Sequence, residues 1–394
     1  MTTSGARTRM DAVLQAAVAA GDVAGVVALA ADDRGVIYEG AFGRREVGKG
    51  LAMTLDTVFW IASMTKTITS VAAMQLVEQG KLDLDRPLGE INPELASPQV
   101  LEGFDAQGKP RLRLARGPVT LRHLLTHTSG FTYELWNGDY LRYLQYAGIP
   151  SIIECKNATL ERAPLVFDPG DRWEYGIGID WVGKTVERIS GKSLETYFQE
   201  HIFRPLGMKD SGFVIRPDMR ERLASMHARQ PDGSLAAVPF EIPQQPEFFM
   251  GGGGLYSTGP DYLIFLRTLL CGGRLGEAQI LRPETVAEMN RNQIGDLTVR
   301  PLKTVMPDLS NDAEFFPGMV KKWGLAYMIT PEPTPTGRSA GSQAWAGLPN
   351  CYFWLDQTRR VCGVFLTQIL PFADVKALPL FLEWERALYA SLSS

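Results

Sequence analysis

Met10, Val13, Leu14, Ala17 and Val18 recur at helical spacing and stop at Gly21, which predicts a first helix closed by a glycine. An unbroken apolar run, Val23 to Ala31, follows it. Asp32-Asp33-Arg34-Gly35 then interrupts as a turn, and Val36 to Phe42 returns, so two strands are expected. Val58-Phe59-Trp60-Ile61-Ala62 is a further strand-like run. After it Ile68, Val71, Ala72, Leu76 and Val77 repeat at helical spacing as far as Gly80. The middle of the chain mixes helical segments with loops. One stretch, roughly Asn92 to Pro118, carries proline, glycine and several arginines and reads as a polar insertion. Strands return at the end: Trp323 to Ile329, Ala344 to Gly347, Cys351 to Asp356 and Val361 to Leu366. A last helix places Phe381, Trp384 and Leu388 on one face.

Strands near both ends around a helical middle predict a mixed α/β fold, with one sheet built from both ends of the chain. On this pattern residues 1–85 and 260–394 form one lobe, and residues 86–259 form an inserted, mainly helical lobe. A cleft between the two is the natural place for a site.

Composition narrows the classes. The chain has 394 residues, 45% of them hydrophobic, enough for a large core. Lys and Arg total 40 against 44 Asp and Glu, and no basic run marks a nucleic-acid partner. Met1 to Arg7 lacks an apolar core of the secretory type, so a cytoplasmic location is expected. No apolar run approaches the roughly 18 residues that a membrane span needs. Cys155, Cys271, Cys351 and Cys362 are scattered, which favours reduced thiols. His123, His127, His201 and His227 form no ligand-spaced cluster, so a zinc site is not expected. Oligomeric state is not legible.

The chemistry concentrates at Ser63-Met64-Thr65-Lys66, the sole S-x-x-K of the chain, at the predicted start of the helix that runs to Gly80. One helical turn sets Ser63 beside Lys66. A lysine of lowered pKa can take the serine proton or support the group that does. Tyr175, in Glu174-Tyr175-Gly176-Ile177, follows the turn Asp168-Pro169-Gly170 and precedes a helix expected near Asp180. A tyrosine there could act as a base or simply pack. Gln343-Ala344-Trp345-Ala346-Gly347-Leu348 reads as an edge strand whose glycine invites close approach. Its backbone N–H groups could serve a developing oxyanion. His127 invites a Ser-His arrangement, against a purely structural role.

Taken in order, the S-x-x-K, the tyrosine loop and the late W-x-G strand resemble the serine β-lactamase and penicillin-binding-protein superfamily. Leu124-Leu125-Thr126-His127-Thr128-Ser129-Gly130, Pro205-Leu206-Gly207-Met208 and Gly251-Gly252-Gly253-Gly254-Leu255-Tyr256-Ser257 are similar to its recurring pieces. The chain resembles most the family VIII carboxylesterases, which share the class C β-lactamase fold. That resemblance implies an antiparallel sheet flanked by helices. It implies Ser63 as nucleophile and Lys66 with Tyr175 as the proton-transfer pair. It also implies the N–H groups of Ser63 and Leu348 as oxyanion hole, and makes His127 structural. Tyr133, Trp136 and Trp345 would line the substrate pocket, with Gly347 and Ile177 beside them.

Two departures from the β-lactamase pattern set the substrate class. The tyrosine element reads Tyr175-Gly176-Ile177 where that family has Y-x-N, so an amide is lost. Trp345-Ala346-Gly347 stands where K-T-G is usual, so an ammonium is replaced by an indole. Both changes disfavour anionic β-lactams and favour neutral esters. The expected activity is hydrolysis of neutral short- to medium-chain carboxylic esters through an acyl-enzyme on Ser63, and chemistry on a serine nucleophile needs no metal or organic cofactor. The alternatives are a β-lactamase or D-alanyl-D-alanine peptidase, an acyltransferase of the same fold, or a catalytically idle binding protein.

Overall fold

The computed structural model of the chain describes residues 4–392. Its centre is a seven-stranded sheet. The strands in chain order are β1 (Gly25–Asp32), β2 (Val36–Gly43), β3 (Lys322–Trp323), β4 (Met328–Thr330), β5 (Ser342–Gly347), β6 (Cys351–Asp356) and β7 (Val361–Leu366). They lie side by side as β3-β4-β5-β6-β7-β1-β2, and every neighbouring pair is antiparallel. Strands from the two ends of the chain meet at β1 and β7, with Val27 opposite Leu366 and Asp32 opposite Val361. This is the sheet the strand pattern predicted.

Every residue of β5, β6 and β7 is buried. A strand covered on both faces needs no polar alternation, which is why these segments read as continuous apolar runs. Consecutive side chains point to opposite faces, so ring pairs identify the two covers. Trp354 meets Trp384 of helix α5 (Ala377–Leu392), with ring centroids 5.5 Å apart. Its neighbour Phe353 meets Tyr262 of a helix at Gly259–Leu270, also at 5.5 Å. The first helix, α1 (Ser4–Ala19), lies on the α5 side, where Asp11 accepts the Tyr38 hydroxyl at 2.9 Å and Tyr38 packs at a tilt against Trp384. The helix at Gly259–Leu270 is therefore α4. Between α1 and α4 in the chain run α2 (Thr65–Glu78) and α3 (Gly178–Ser190), which pack against each other. No helix among the described residues is long and apolar enough to cross a membrane.

Three expectations need correction. The segment Trp323 to Ile329 is not one strand: Gly324 and Tyr327 close a turn through a 2.9 Å N–H···O bond, which separates β3 from β4. The stretch Asn92 to Pro118 is not an unstructured insertion. It forms a hairpin, Gln99–Phe104 against Pro110–Leu114, turned at Asp105–Lys109. Arg113 fixes it by a fork of 2.8 and 2.7 Å to Asp168. Third, β5 is no edge strand but the third of seven. Its pairing with β4 nevertheless stops at Ala344, so its last three residues lack a partner strand on that side.

Candidate active site

The strand Val58–Trp60 pairs antiparallel with Tyr256–Thr258 and leads into a single 3₁₀ turn, Ala62–Met64. Ala62 is held at φ +44°, a conformation that costs a residue with a Cβ about 1–3 kcal/mol and that clusters at functional turns. Ser63 follows, half-buried. The α-helix proper begins only at Thr65, so Ser63 stands on the turn before α2 and not in its first turn.

Lys66 is 1% exposed. Its Nζ reaches three oxygens: Ser63 Oγ at 3.1 Å, the Tyr133 hydroxyl at 2.9 Å and the Gly252 carbonyl at 2.5 Å. Burial pushes the lysine pKa down, because a buried ammonium loses its water; the nearby Asp180 charge works against that. The three partners define what Lys66 can do. The Gly252 carbonyl can only accept. A neutral amine has two N–H bonds and one lone pair. With the N–H bonds on Gly252 and Tyr133, the lone pair faces the Ser63 hydroxyl.

Tyr175 lies beside this group in a nest of rings with His127, Tyr133, Trp136 and Trp345, at centroid distances of 4.7, 5.2, 5.5 and 4.9 Å. Its hydroxyl accepts the Trp345 indole N–H at 2.9 Å. Burial pushes the phenol pKa up, while hydrogen bonding with Ser63 and Trp345 opposes the rise. Lys66 Nζ sits over the Tyr175 ring, 4.8 Å from its centroid. The expected Lys66–Tyr175 couple is thus a stacked neighbour pair, and the direct hydrogen bond of Lys66 goes to Tyr133.

The end of β5 closes the other side. A Cβ at Gly347 would stand 2.3 Å from the Ile61 carbonyl oxygen, so only glycine lets this strand lie against the Ser63 turn. Leu348, the next residue, shares with Ser63 a cavity of about 50 Å³. Trp60, Leu135, Trp136, Ile152, Ile153 and Met250 form its apolar wall, and no charged side chain lines it. Trp345 lines a separate small cavity beside Phe315 and Lys321.

The sequence-predicted residues divide accordingly. Ser63, Lys66, Tyr133, Trp136, Tyr175 and Leu348 come together. Ile177 does not face the cavity: it is fully buried, at the residue preceding α3. Arg111, Arg113 and Arg116 belong to the hairpin region and none lines the cavity. His127 is 1% exposed, at φ +57°, with Nδ1 accepting the Gly176 N–H at 3.4 Å and its ring edge-on to Trp323. Burial and Lys66 hold its imidazole neutral. Ser63 is bonded by a lysine and not by this histidine. Missed from sequence were the direct Tyr133–Lys66 bond, the Gly252 carbonyl, and the wall residues Leu135, Ile152, Ile153 and Met250. The glycine run Gly251–Gly254 was the one available signal. No group of three or more His, Cys, Asp or Glu among the described residues could hold a metal ion.

A buried lysine on a turn-borne serine, inside a mixed sheet-and-helix fold, defines a class: serine enzymes that transfer acyl groups. Known proteins agree. The Beta-lactamase family model matches residues 10–383. Lovastatin esterase of Penicillium rubens is 34% identical, over 92% of this chain and 93% of that protein. Monacolin J acid methylbutanoyltransferase of Aspergillus terreus is 33% identical, over 97% and 95%. Among solved structures, simvastatin synthase (LovD) from Aspergillus terreus, in its LovD6 mutant form, superposes with a TM-score of 0.85 at 32% identity. That match covers 99% of this chain and 96% of the other. The chain belongs to the beta-lactamase family, and its relatives mark it as an acyl-transferring serine enzyme.

Proposed function

We propose that this protein is a serine carboxylesterase of the family VIII kind, acting on neutral short- to medium-chain esters. The observation that carries the proposal is the Lys66 arrangement: an amine deprived of water and aimed at Ser63 Oγ from 3.1 Å. Lys66 takes the Ser63 proton as Oγ attacks the ester carbonyl. The Tyr175 hydroxyl, held by Trp345, hands a proton to the departing alcohol. The backbone N–H groups of Ser63 and Leu348 receive the oxyanion. Water then cleaves the acyl-enzyme by the same route in reverse. The apolar, uncharged wall supports neutral esters over β-lactams, which carry a carboxylate that needs a cation. The narrowness of the cavity supports short acyl chains.

The test is a series of p-nitrophenyl esters from acetate to palmitate, run beside a chromogenic cephalosporin. We expect butyrate and shorter to be cleaved best, with the cephalosporin at least about 100-fold poorer in kcat/KM, the cost of two lost polar contacts. Equal kcat/KM for the cephalosporin and the butyrate would sink the ester reading. A second reading, acyl transfer to an alcohol, is favoured by one observation: the relatives include a methylbutanoyltransferase as well as an esterase. Adding an alcohol acceptor during butyrate turnover separates the two. A transferase diverts most of the acyl groups to the acceptor at millimolar concentration, whereas a hydrolase releases acid.

A further inference from the structure

The mechanism above does not use the buried acid that contacts its lysine site, the one bonded to Gly252. Asp180 lies in the first turn of α3 and is 0% exposed. One carboxylate oxygen, Oδ1, accepts the Gly252 N–H at 2.8 Å. The other, Oδ2, is buried without a hydrogen-bond partner. The same Gly252 presents its carbonyl to Lys66 Nζ at 2.5 Å. A Cβ at Gly252 would come within 2.5 Å of Asp180 Oδ2, so a glycine is required for the acid to seat there. Asp180 therefore grips one side of a residue whose other side grips the lysine.

We propose that Asp180 is a positioning residue of the acyl-transfer site, fixing Lys66 through Gly252 and stabilising the ammonium that forms when Ser63 gives up its proton. The proposal rests on the Ser63–Lys66 reading given above. An isolated carboxylate at this depth would be strongly disfavoured unless a cation balanced it. Lys66 is the cation among the ionisable groups that act on Asp180. Facing the pair are Glu134, Tyr133, Tyr140, Tyr175, Cys155 and His127. Glu134 is occupied by Ser151 Oγ at 2.5 Å. Burial pushes the tyrosines and Cys155 up and His127 down, so all of these stay neutral near pH 7. Lys66 then favours the Asp180 carboxylate, and the Glu134 charge works against it to a lesser extent. Burial alone would leave Lys66 a weak base; the acid restores basicity while keeping the neutral form accessible, which is what general-base catalysis near neutral pH requires.

The experiment compares wild type with Asp180→Asn, which keeps the shape and an acceptor for Gly252, and Asp180→Ser, smaller and also neutral. The readout is the rate at which a fluorophosphonate labels Ser63, followed by intact mass from pH 5 to 10, with thermal melting alongside. The sign follows from the charge. Without the anion the ammonium is less favoured, so Lys66 loses its proton at lower pH. We expect the acid limb of labelling to move down by about one pH unit and the plateau to fall by up to about tenfold. A lower melting temperature with an unmoved limb would show a merely structural acid and overturn the proposal. If neither variant folds, ¹³C NMR of the Asp180 carboxyl in wild type decides: it must be ionised across the rising limb of labelling, and a carboxyl that stays protonated there overturns it. A wild type that labels at Ser63 but cleaves no ester would defeat the esterase reading while leaving this comparison valid. No labelling of Ser63 at all would defeat both.

Discussion

Lys66 serves three oxygens at once, and each of its substitutions should fail for a separate reason. Ser63→Ala removes the nucleophile and only a hydroxyl's volume, so the fold should persist while kcat falls by on the order of 10³-fold or more. Lys66→Ala should be nearly as damaging. Lys66→Arg should not rescue it, because a guanidinium remains protonated and cannot accept the Ser63 proton. The two tyrosines should part company. Tyr175→Phe deletes the hydroxyl that Trp345 orients and should cost nearly as much as loss of Ser63. Tyr133→Phe deletes the acceptor of one of the two N–H bonds of neutral Lys66 and should cost less, about 2- to 10-fold. Equal, small effects for both tyrosines, measured as kcat on p-nitrophenyl butyrate, would show that neither hydroxyl matters. The pH profile belongs to the same residue. Lys66 must be neutral to accept a proton, so activity should rise with pH as its ammonium ionises and be lost as pH falls. Because burial depresses that pKa, the midpoint should lie well below the ordinary lysine value of about 10.4. A limb centred near 10 in kcat/KM would exclude Lys66 as the base.

At the level of elements, the site is where three separately built pieces touch: the Ala62–Met64 turn, the start of α3 and the end of β5 that β4 leaves uncovered. Gly347 is the contact point. Gly347→Ala would force β5 away from Ile61 by more than the few tenths of an ångström a packed backbone can yield. We expect kcat to fall at least about 100-fold, with a measurable drop in melting temperature. A variant that melts lower yet keeps wild-type kcat would separate the strand from the chemistry. The same contacts explain what the sequence could reveal. Elements with strong local periodicity were readable: α5 from Phe381, Trp384 and Leu388, and β1 from its apolar run. Ser63 and Lys66 were readable because they are three residues apart, close enough for the turn and the start of α2 to set them side by side. The Tyr133–Lys66 bond was not, since 67 positions separate the partners and only the folded chain joins them. The hairpin at Gln99–Leu114 was obscured because its arginines look like a polar loop until Asp168 and Glu102 are seen to pair with Arg113. Ile177 was misplaced for a related reason: a substitution within a motif tells what is lost from a site, but not where the new side chain goes.

On the scale of the whole molecule, the sheet is closed by its last strands, and stability and activity should depend on them together. A chain ending at Gly341 lacks β5 to β7 and α5. It leaves β1 without its inner neighbour and the Ser63 turn without Gly347 and Leu348. Such a fragment should show neither a cooperative thermal transition nor labelling of Ser63 by a fluorophosphonate. A fragment that labelled at the wild-type rate would mean that the turn assembles alone. The pairing of Val27 with Leu366 also carries a consequence in time. The ribosome makes β1 (Gly25–Asp32) long before its partner β7 (Val361–Leu366). At about 5–20 residues per second, the apolar strand waits on the order of tens of seconds for the neighbour that covers its edge. In that interval the Ser63 turn is already made, while Leu348, its partner in the proposed oxyanion hole, is not. On the proposed mechanism the newborn chain is sticky and chemically silent, and both conditions end when the late strands arrive.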